Sequence, residues 1–314
     1  GALMDLKLIM DKADESNSPH FKGVAQIMTA MCMATLVDLF DDVPYTEALQ
    51  GFTDEGLTPA YDTGEAIYAD IQELLREGVA NCGADVSTFS PGKADLLYEG
   101  DLSLWIAAAN SLRARYALRL GEYDQALSFL GEGAISGNDF DAEVSFGTST
   151  ADGNPWFLFE NDRGDVVMGG FFIDLMNSIN DPRREAFATQ NEDGVYKGAP
   201  AGVPDNTPQM SRFGPYYASV GSPIPFVTYV ETKFIEAECL LRTDDPEGAA
   251  EAHNEAIIAS LEKFGFNPMD SVIMEFIDEE ASEDAGSITL EKIITHNLYG
   301  IEIDERAGEL ASFS

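Results

Sequence analysis

The sequence predicts a mainly α-helical protein, a scaffold of helical hairpins carrying long irregular insertions. Three observations support this: apolar residues recur at helical spacing in three paired segments, Pro and Gly punctuate the joints, and a long Gly-, Pro-, Asn- and Asp-rich stretch between the second and third pairs lacks that period.

In the first pair, Val24, Ile27, Met28, Met31, Leu36, Leu39 and Phe40 repeat at helical spacing between Phe21 and Phe40. Pro44 forbids continuation and pushes Val43 toward an extended conformation. Asp62 or Thr63 caps the next helix, Gly64 to Val79, with Glu65 where the helix dipole favours negative charge. The connection carries Tyr45, Phe52 and Tyr61 and is unusually long for a hairpin; Asp42 is expected to accept backbone N–H groups there while Tyr45 covers the helix ends.

The second pair opens at Asp101 or Ser103 and runs to Leu120, with Leu104, Ala108, Leu112, Ala114, Tyr116 and Leu118 forming a broad apolar face. Trp105, at helical spacing with Leu112, reads as core. Gly121-Glu122-Tyr123 turns straight into Asp124 to Leu130, and the segment ends at Ala134-Ile135. A small residue at the turn and thin Ala126 and Ala134 allow close helix approach, which is the tetratricopeptide pattern. Phe226 to Leu241, a turn at Thr243 to Pro246, and Glu247 to Phe264 form the third pair, with Pro246 at a first helical position. The pairs do not repeat strictly, because Ser136 to Ser222 intervenes. A connection of this length is usually functional or disordered, and its rings (Trp156, Phe157, Phe159, Tyr196, Phe213, Tyr216, Tyr217) argue against disorder. Its apolar runs are short, chiefly Phe157-Leu158-Phe159 and an expected short helix from Phe171 to Ile179.

Composition narrows the function. With 314 residues and 45% hydrophobic content the chain can bury a substantial core. No run is read as approaching the roughly 18 to 20 apolar residues of a membrane helix, so a soluble chain is expected, and Gly1-Ala2-Leu3 does not read as a signal peptide. Against 18 basic residues stand 56 acidic ones; the resulting charge of −38 repels phosphate backbones and anionic lipid, which excludes nucleic acid as a partner. Such a surface suits a saline environment, where self-repulsion is screened. Cys32, Cys82 and Cys239 lie far apart, make no paired metal spacing, and read as buried small hydrophobes.

Several motifs resemble one family. Asp41-Asp42-Val43-Pro44-Tyr45 after an apolar helix, then Tyr61-Asp62 and Ile67-Tyr68-Ala69-Asp70-Ile71, form the first match. Tyr98-Glu99-Gly100-Asp101 with Trp105 and Asn110-Ser111-Leu112-Arg113-Ala114-Arg115 is the second, and Pro225-Phe226-Val227-Thr228-Tyr229-Val230-Glu231 continuing through Phe234 to Glu238 is the third. In this order, over roughly Phe21 to Phe266, they resemble the SusD/RagB-like proteins. The resemblance implies one SusD-like domain over 1–314, with helical pairs at about 21–80, 101–136 and 226–266 and a loop-rich ligand-binding insertion at about 137–225. It also implies a lipid-anchored protein on the cell-surface side of the outer membrane. Such a protein captures oligosaccharide or a similar nutrient and delivers it to a SusC-like TonB-dependent transporter, without catalysis and without a cofactor. Family members have a further stretch with a secretion signal and lipid-bearing Cys before the first of these helices, so the sequence is expected to be truncated at its N-terminus. Leu290 to Asn297 is similar to the start of the family's last helix, but Glu302 to Ser314 replaces the expected aromatic, paired-Arg ending.

Sugars offer flat C–H patches and a polar rim, which an aromatic face edged by amide, carboxylate or guanidinium groups can hold. Asn154-Pro155-Trp156 and Arg212-Phe213-Gly214-Pro215-Tyr216-Tyr217 provide such a set, giving Asn154, Trp156, Arg212, Tyr216 and Tyr217 as the candidate binding surface. The competing reading of each ring is that it closes the loops onto the scaffold. Two rival functions are a helical-repeat adapter for protein and an all-helical glycoside hydrolase. A hydrolase needs two carboxylates across a cleft, and among 56 acidic residues neighbours such as Asp41/Asp42 or Asp278/Glu279 arise by chance. His20, His253 and His296 are isolated, and no metalloprotease helix, nucleophile elbow or phosphate loop is present. Asn161-Asp162-Arg163-Gly164-Asp165 is oxygen-rich but lacks a full calcium loop, so it reads as solvated loop and no metal is expected.

Overall fold

In the computed structural model, which describes residues 1–50, 58–164, 166–202, 208–280 and 289, the chain is helical with a single two-stranded sheet among the described residues. The helices are α1 (Ala2–Glu15), α2 (Pro19–Phe40), α3 (Gly64–Cys82), α4 (Leu102–Arg119), α5 (Tyr123–Gly131), α6 (Pro155–Arg163), α7 (Gly170–Ser178), α8 (Arg184–Phe187), α9 (Pro215–Ala218), α10 (Tyr229–Arg242), α11 (Pro246–Lys263) and α12 (Ser271–Glu280). Strand β1 (Ala142–Val144) pairs with β2 (Ile224–Val227). The described residues fall into two compact units, 1–142 with 227–256, and 143–226 with 257–280.

In the first unit α2 packs chiefly on α3. Glycines set how closely they approach: a Cβ at Gly23 would sit 2.7 Å from Cys82 Sγ and 2.8 Å from the Gly78 carbonyl, and one at Gly78 would sit 2.7 Å from Ile27 Cγ1. Ile27, Met33, Val37, Ile67, Ile71, Leu75, Trp105 and Leu112 fill the core around this crossing. Pro44 follows the end of α2 as predicted. Asp42 then accepts from Gly64 N at 3.1 Å, while Asp62 accepts from the amides of Tyr45 and Thr46 at 3.0 and 2.8 Å. Thr63 is the cap of α3, its hydroxyl accepting from Ala66 N. These backbone bonds, that to Thr46 foremost, hold the Asp62 carboxyl below its usual range.

Trp105 is buried as expected and donates from Nε1 to Asp95 Oδ2 at 2.7 Å, meeting Tyr98 edge-on with centroids 5.6 Å apart. Asp101 caps α4. Ala114, Ala117, Ala126, Ile235 and Cys239 form the tight centre where α4, α5 and α10 meet, so small residues permit the close packing that the hairpin pattern implied. Burial pushes the Cys82 thiol up to about 12, with Asp95 adding to it; Cys82 and Cys239 are inert core residues, whereas Cys32 is half-buried.

In the second unit Phe187, Ile173 and Met176 are buried, and Ile257, Leu261, Ile273 and Phe276 make a further cluster. Arg183, fully buried, forks onto Asp181 at 2.9 and 2.6 Å and donates to Ser260 Oγ at 2.7 Å, so these three bonds and the paired carboxylate offset part of the cost of burying its charge.

Four readings need correction. By length and composition α2, with mean hydropathy 1.6, is apolar enough to cross a membrane, contrary to the expectation that no such run exists; half of its apolar window is buried, as for a core helix. Phe226 and Val227 belong to β2, and α10 begins only at Tyr229, because Thr228 is extended and its hydroxyl caps Glu231 N. Ala134 lies beyond α5. Finally, α1 and α12 had no counterpart in the sequence reading: α1 buries only Leu6 and Ala13, a stripe too narrow to stand out from its exposed Met4, Leu8 and Ile9. Phe52, Asp165, His296, the Leu290 to Asn297 segment, Glu302 to Ser314 and the Asp278/Glu279 side chains lie outside the described residues.

Candidate functional site

Helix α6 has no fully buried residue, and its start is written in Asn154-Pro155. The Asn154 side chain accepts from Trp156 N at 2.8 Å and Phe157 N at 3.0 Å, and Pro155 occupies the first helical position, where a missing N–H costs nothing. The other end of the same amide donates to the Ser222 carbonyl at 2.8 Å, and Asn154 is fully buried. At the far end Gly164 adopts the left-handed conformation with φ 60° and closes the helix. Arg212 donates there to the Gly164 carbonyl and to Glu160.

Two of the five candidate residues, Asn154 and Arg212, therefore hold α6 in place by hydrogen bonds inside the protein. Asn161, Asp162 and Arg163, read from sequence as loop, form the last turn of this helix. The cap explains the difference: one polar residue, invisible to apolar periodicity, nucleates a nine-residue helix.

The three remaining candidates belong to a continuous run of rings. Trp156 meets Phe213 edge-on at 5.6 Å, Phe213 lies 5.9 Å from Tyr217, Tyr217 5.0 Å from Tyr216, and Tyr216 4.8 Å from Phe264. Beneath them Phe187 is 1% exposed and touches Tyr216, Tyr217 and Phe264. Gly214 allows this stacking, since a Cβ there would fall 2.5 Å from the Ala186 carbonyl and Ala188 N, and its own N donates to Phe187 O at 2.8 Å.

Exposure grades along the run. Tyr216 and Tyr217 are half-buried over Phe187, whereas Trp156 is 38% exposed and Phe159, one turn further along α6, is 43% exposed. Arg163 places its guanidinium 5.8 Å from the Phe159 ring centroid. Sequence reasoning named Phe213 and Phe159 only as aromatics of the insertion and omitted Phe187 and Phe264. The spacing of Trp156 and Phe159 becomes a signal once Asn154 is recognised as a cap. Ahead of the cap, Asp152 is held below the usual carboxylate range by the Ser149 hydroxyl, which steadies the approach to α6.

This arrangement provides an aromatic surface; among the described residues no group of three or more His, Cys, Asp or Glu side chains is placed to hold a metal.

Comparison with known sequences decides the family. A family of SusD-like proteins, described as starch-binding associating with outer membrane, matches residues 1–302. The chain belongs to the SusD-like family. Solved SusD-like structures share its fold. A chitin-binding SusD homolog from Flavobacterium johnsoniae is 21% identical with TM-score 0.78, over 96% of this chain and 69% of that one. A SusD/RagB family protein from Bacteroides thetaiotaomicron is 24% identical with TM-score 0.72, over 99% of this chain and 67% of that one. A SusD homolog from Bacteroides fragilis is 18% identical with TM-score 0.75, over 98% and 75% respectively. No curated protein matches the sequence.

Proposed function

We propose that this SusD-like chain is a cell-surface glycan-binding protein of the outer membrane, lipid-anchored, that captures oligosaccharide and passes it to a SusC-like TonB-dependent transporter without turning it over. The observation that carries this reading is the exposed Trp156 at the end of a ring series that includes Phe213, Tyr217 and Tyr216. The family description and the chitin-binding neighbour support a carbohydrate ligand.

In this role Trp156 is the stacking platform for a sugar face, and Tyr216 and Tyr217 add amphipathic edges. Asn154 and Arg212 act indirectly, by fixing the helix that carries the platform. Stacking plus rim hydrogen bonds gives modest affinity, which suits a protein that must release its ligand to a transporter.

Isothermal titration of the wild type and Trp156→Ala against a panel of oligosaccharides tests the reading. Binding by the wild type that disappears in the variant is expected. Reducing ends released from a polysaccharide would instead establish hydrolysis. A wild type that binds no glycan but captures peptide would favour the adapter.

A further inference from the structure

In the first unit, an open cavity of about 330 Å3 lies between α1, α2 and the segment after α3, walled by Leu8, Ile9 and Ala13 of α1, Phe21 of α2 and Phe89. That volume falls at the lower end of the roughly 300 to 1,000 Å3 of small-ligand sites. The two hydroxyls of the wall are already engaged, Ser16 Oγ with the Lys12 carbonyl at 2.8 Å and with Ser18 Oγ at 2.9 Å, and Ser18 Oγ with Phe89 N at 3.3 Å. The lining that remains is apolar. Phe89 cannot fold in to fill the space, because its segment is pinned to the α1–α2 turn. Thr88 N donates to Asn17 O at 3.1 Å, Ser87 Oγ accepts from His20 N at 3.4 Å, and the His20 ring spans the Ala84 carbonyl at 2.8 Å and Ser90 Oγ at 2.5 Å.

One lining residue is charged, and it is basic. Lys12 lays its methylene stem along the wall, and its side chain is 68% exposed; the ammonium lies 3.5 Å from an equally exposed Glu15, a pair that water weakens. None of the α1 carboxylates, Asp5, Asp11, Asp14 and Glu15, lines the cavity, and Asp14 is taken up by Lys22 at 2.8 Å.

We propose that this cavity binds the alkyl chain of a medium-chain fatty carboxylate, with the Lys12 ammonium over the head group. An apolar wall edged by one cation matches a molecule that is apolar along its length and anionic at one end. At about 30 Å3 for each water-sized group, a cavity of about 330 Å3 holds roughly ten, which sets the chain at about eight to ten carbons. The net charge of −38 works against any anion, so buried methylenes supply most of the affinity and Lys12 supplies the preference for a charged head. The site is separate from the aromatic surface of the insertion and does not depend on the glycan reading.

Isothermal titration of hexanoate, octanoate, decanoate, dodecanoate and 1-octanol against wild type, Lys12→Gln and Ile9→Trp tests this. Affinity is expected to rise about fourfold per added methylene and to level off near ten carbons. Lys12→Gln is expected to weaken octanoate about threefold and leave octanol unchanged, and Ile9→Trp, which sets an indole in the cavity, to abolish both. Affinity independent of chain length, or wild-type binding by Ile9→Trp, would overturn the site. Equal effects of Lys12→Gln on octanoate and octanol would overturn the head-group assignment. A ligand-free dimer in sedimentation that octanoate fails to dissociate would give the cavity to a second copy instead. Ile9 and Leu8 are both exposed, so Leu8→Trp serves as the second filling variant should Ile9→Trp melt below the wild type.

Discussion

Arg115 on α4 and Glu231 on α10, distant in sequence, form a buried two-pronged ion pair, with Nε donating to Oε1 at 2.5 Å and the second guanidinium arm to the other oxygen. Their side chains are 5% and 9% exposed, so neither charge has water to fall back on. Removing either partner takes both of these bonds away from a buried charge. Arg115→Met or Glu231→Gln is expected to lower stability by about 3 to 5 kcal/mol, and the double change Arg115→Met with Glu231→Leu to recover much of the loss. Urea unfolding of the three variants checks this; single variants losing under about 1 kcal/mol would show that the pair is not a joint of the scaffold.

That pair also marks how far the sequence could be read. Arg115 and Glu231 lie in two of the three family-like segments, and their order in the chain was legible although their contact was not. Long helices with broad apolar faces, α2, α3, α4 and α11, were readable because tertiary packing and periodicity agree there. In the insertion they disagree. Short α6, α8 and α9 are specified by Asn154, by Gly214 and by bonds to residues far along the chain, so a local pattern cannot disclose them. The same fact explains the mixed set of site residues: rings were found by type, but type alone does not separate Trp156 on the surface from Asn154 beneath it.

Asn154 lends itself to a direct measurement. Its one side chain caps α6 and satisfies the buried Ser222 carbonyl. Asn154→Ala removes both, and a loss of about 1 to 3 kcal/mol is expected in chemical unfolding. Asn154→Asp keeps the capping oxygen but sets a buried carboxylate oxygen against the Ser222 carbonyl, so at neutral pH it should cost at least as much as the alanine. A neutral alanine variant would mean that α6 is not held from this end.

At the α2–α3 crossing there is no space for a side chain on Gly23, whose Cβ would press on the Gly78 carbonyl and Cys82 Sγ. Gly23→Ala relieves unfolded-chain entropy but forces the helices apart, and the second effect wins because one of the atoms met is backbone that cannot rotate away. A net destabilisation of about 1 to 3 kcal/mol is expected, with Gly23→Val worse. A Gly23→Ala variant that melts at or above the wild-type temperature would refute close approach at this crossing.

Acid should weaken the cap of α4. Asp101 accepts from the Ser103 hydroxyl at 2.5 Å and the Ser103 amide at 2.9 Å, and these bonds, the hydroxyl's first, hold its carboxyl below the ordinary 3.8. A folded-state value below the unfolded one means that the contribution is whole above about pH 4 to 5 and is lost as pH falls through the folded value. Asp101→Asn keeps a capping oxygen and removes the titration. The difference in Tm between wild type and Asp101→Asn should be constant from about pH 5 upward and shrink as the pH falls below the ordinary carboxylate range. A difference independent of pH would place the effect elsewhere.

Salt acts on the whole surface in the opposite sense to its action on ordinary ion pairs. With 56 acidic against 18 basic residues, repulsion among unpaired carboxylates destabilises the compact state, and screening at 1 M salt shortens its reach to about 3 Å. The exposed pairs Lys12–Glu15 and Arg76–Glu73 weaken under the same screening, but such pairs contribute only about 0 to 1 kcal/mol each. Buried Arg115–Glu231 and Arg183–Asp181 are largely shielded from salt. Relief of repulsion therefore dominates, and Tm should rise steadily as potassium chloride is raised from 0.05 to about 1 M. Sucrose at matched osmolality separates charge screening from general exclusion, because it leaves the repulsion in place. A Tm that falls with added salt would mean that the surface carboxylates are balanced locally, and the saline adaptation inferred from the charge would be wrong.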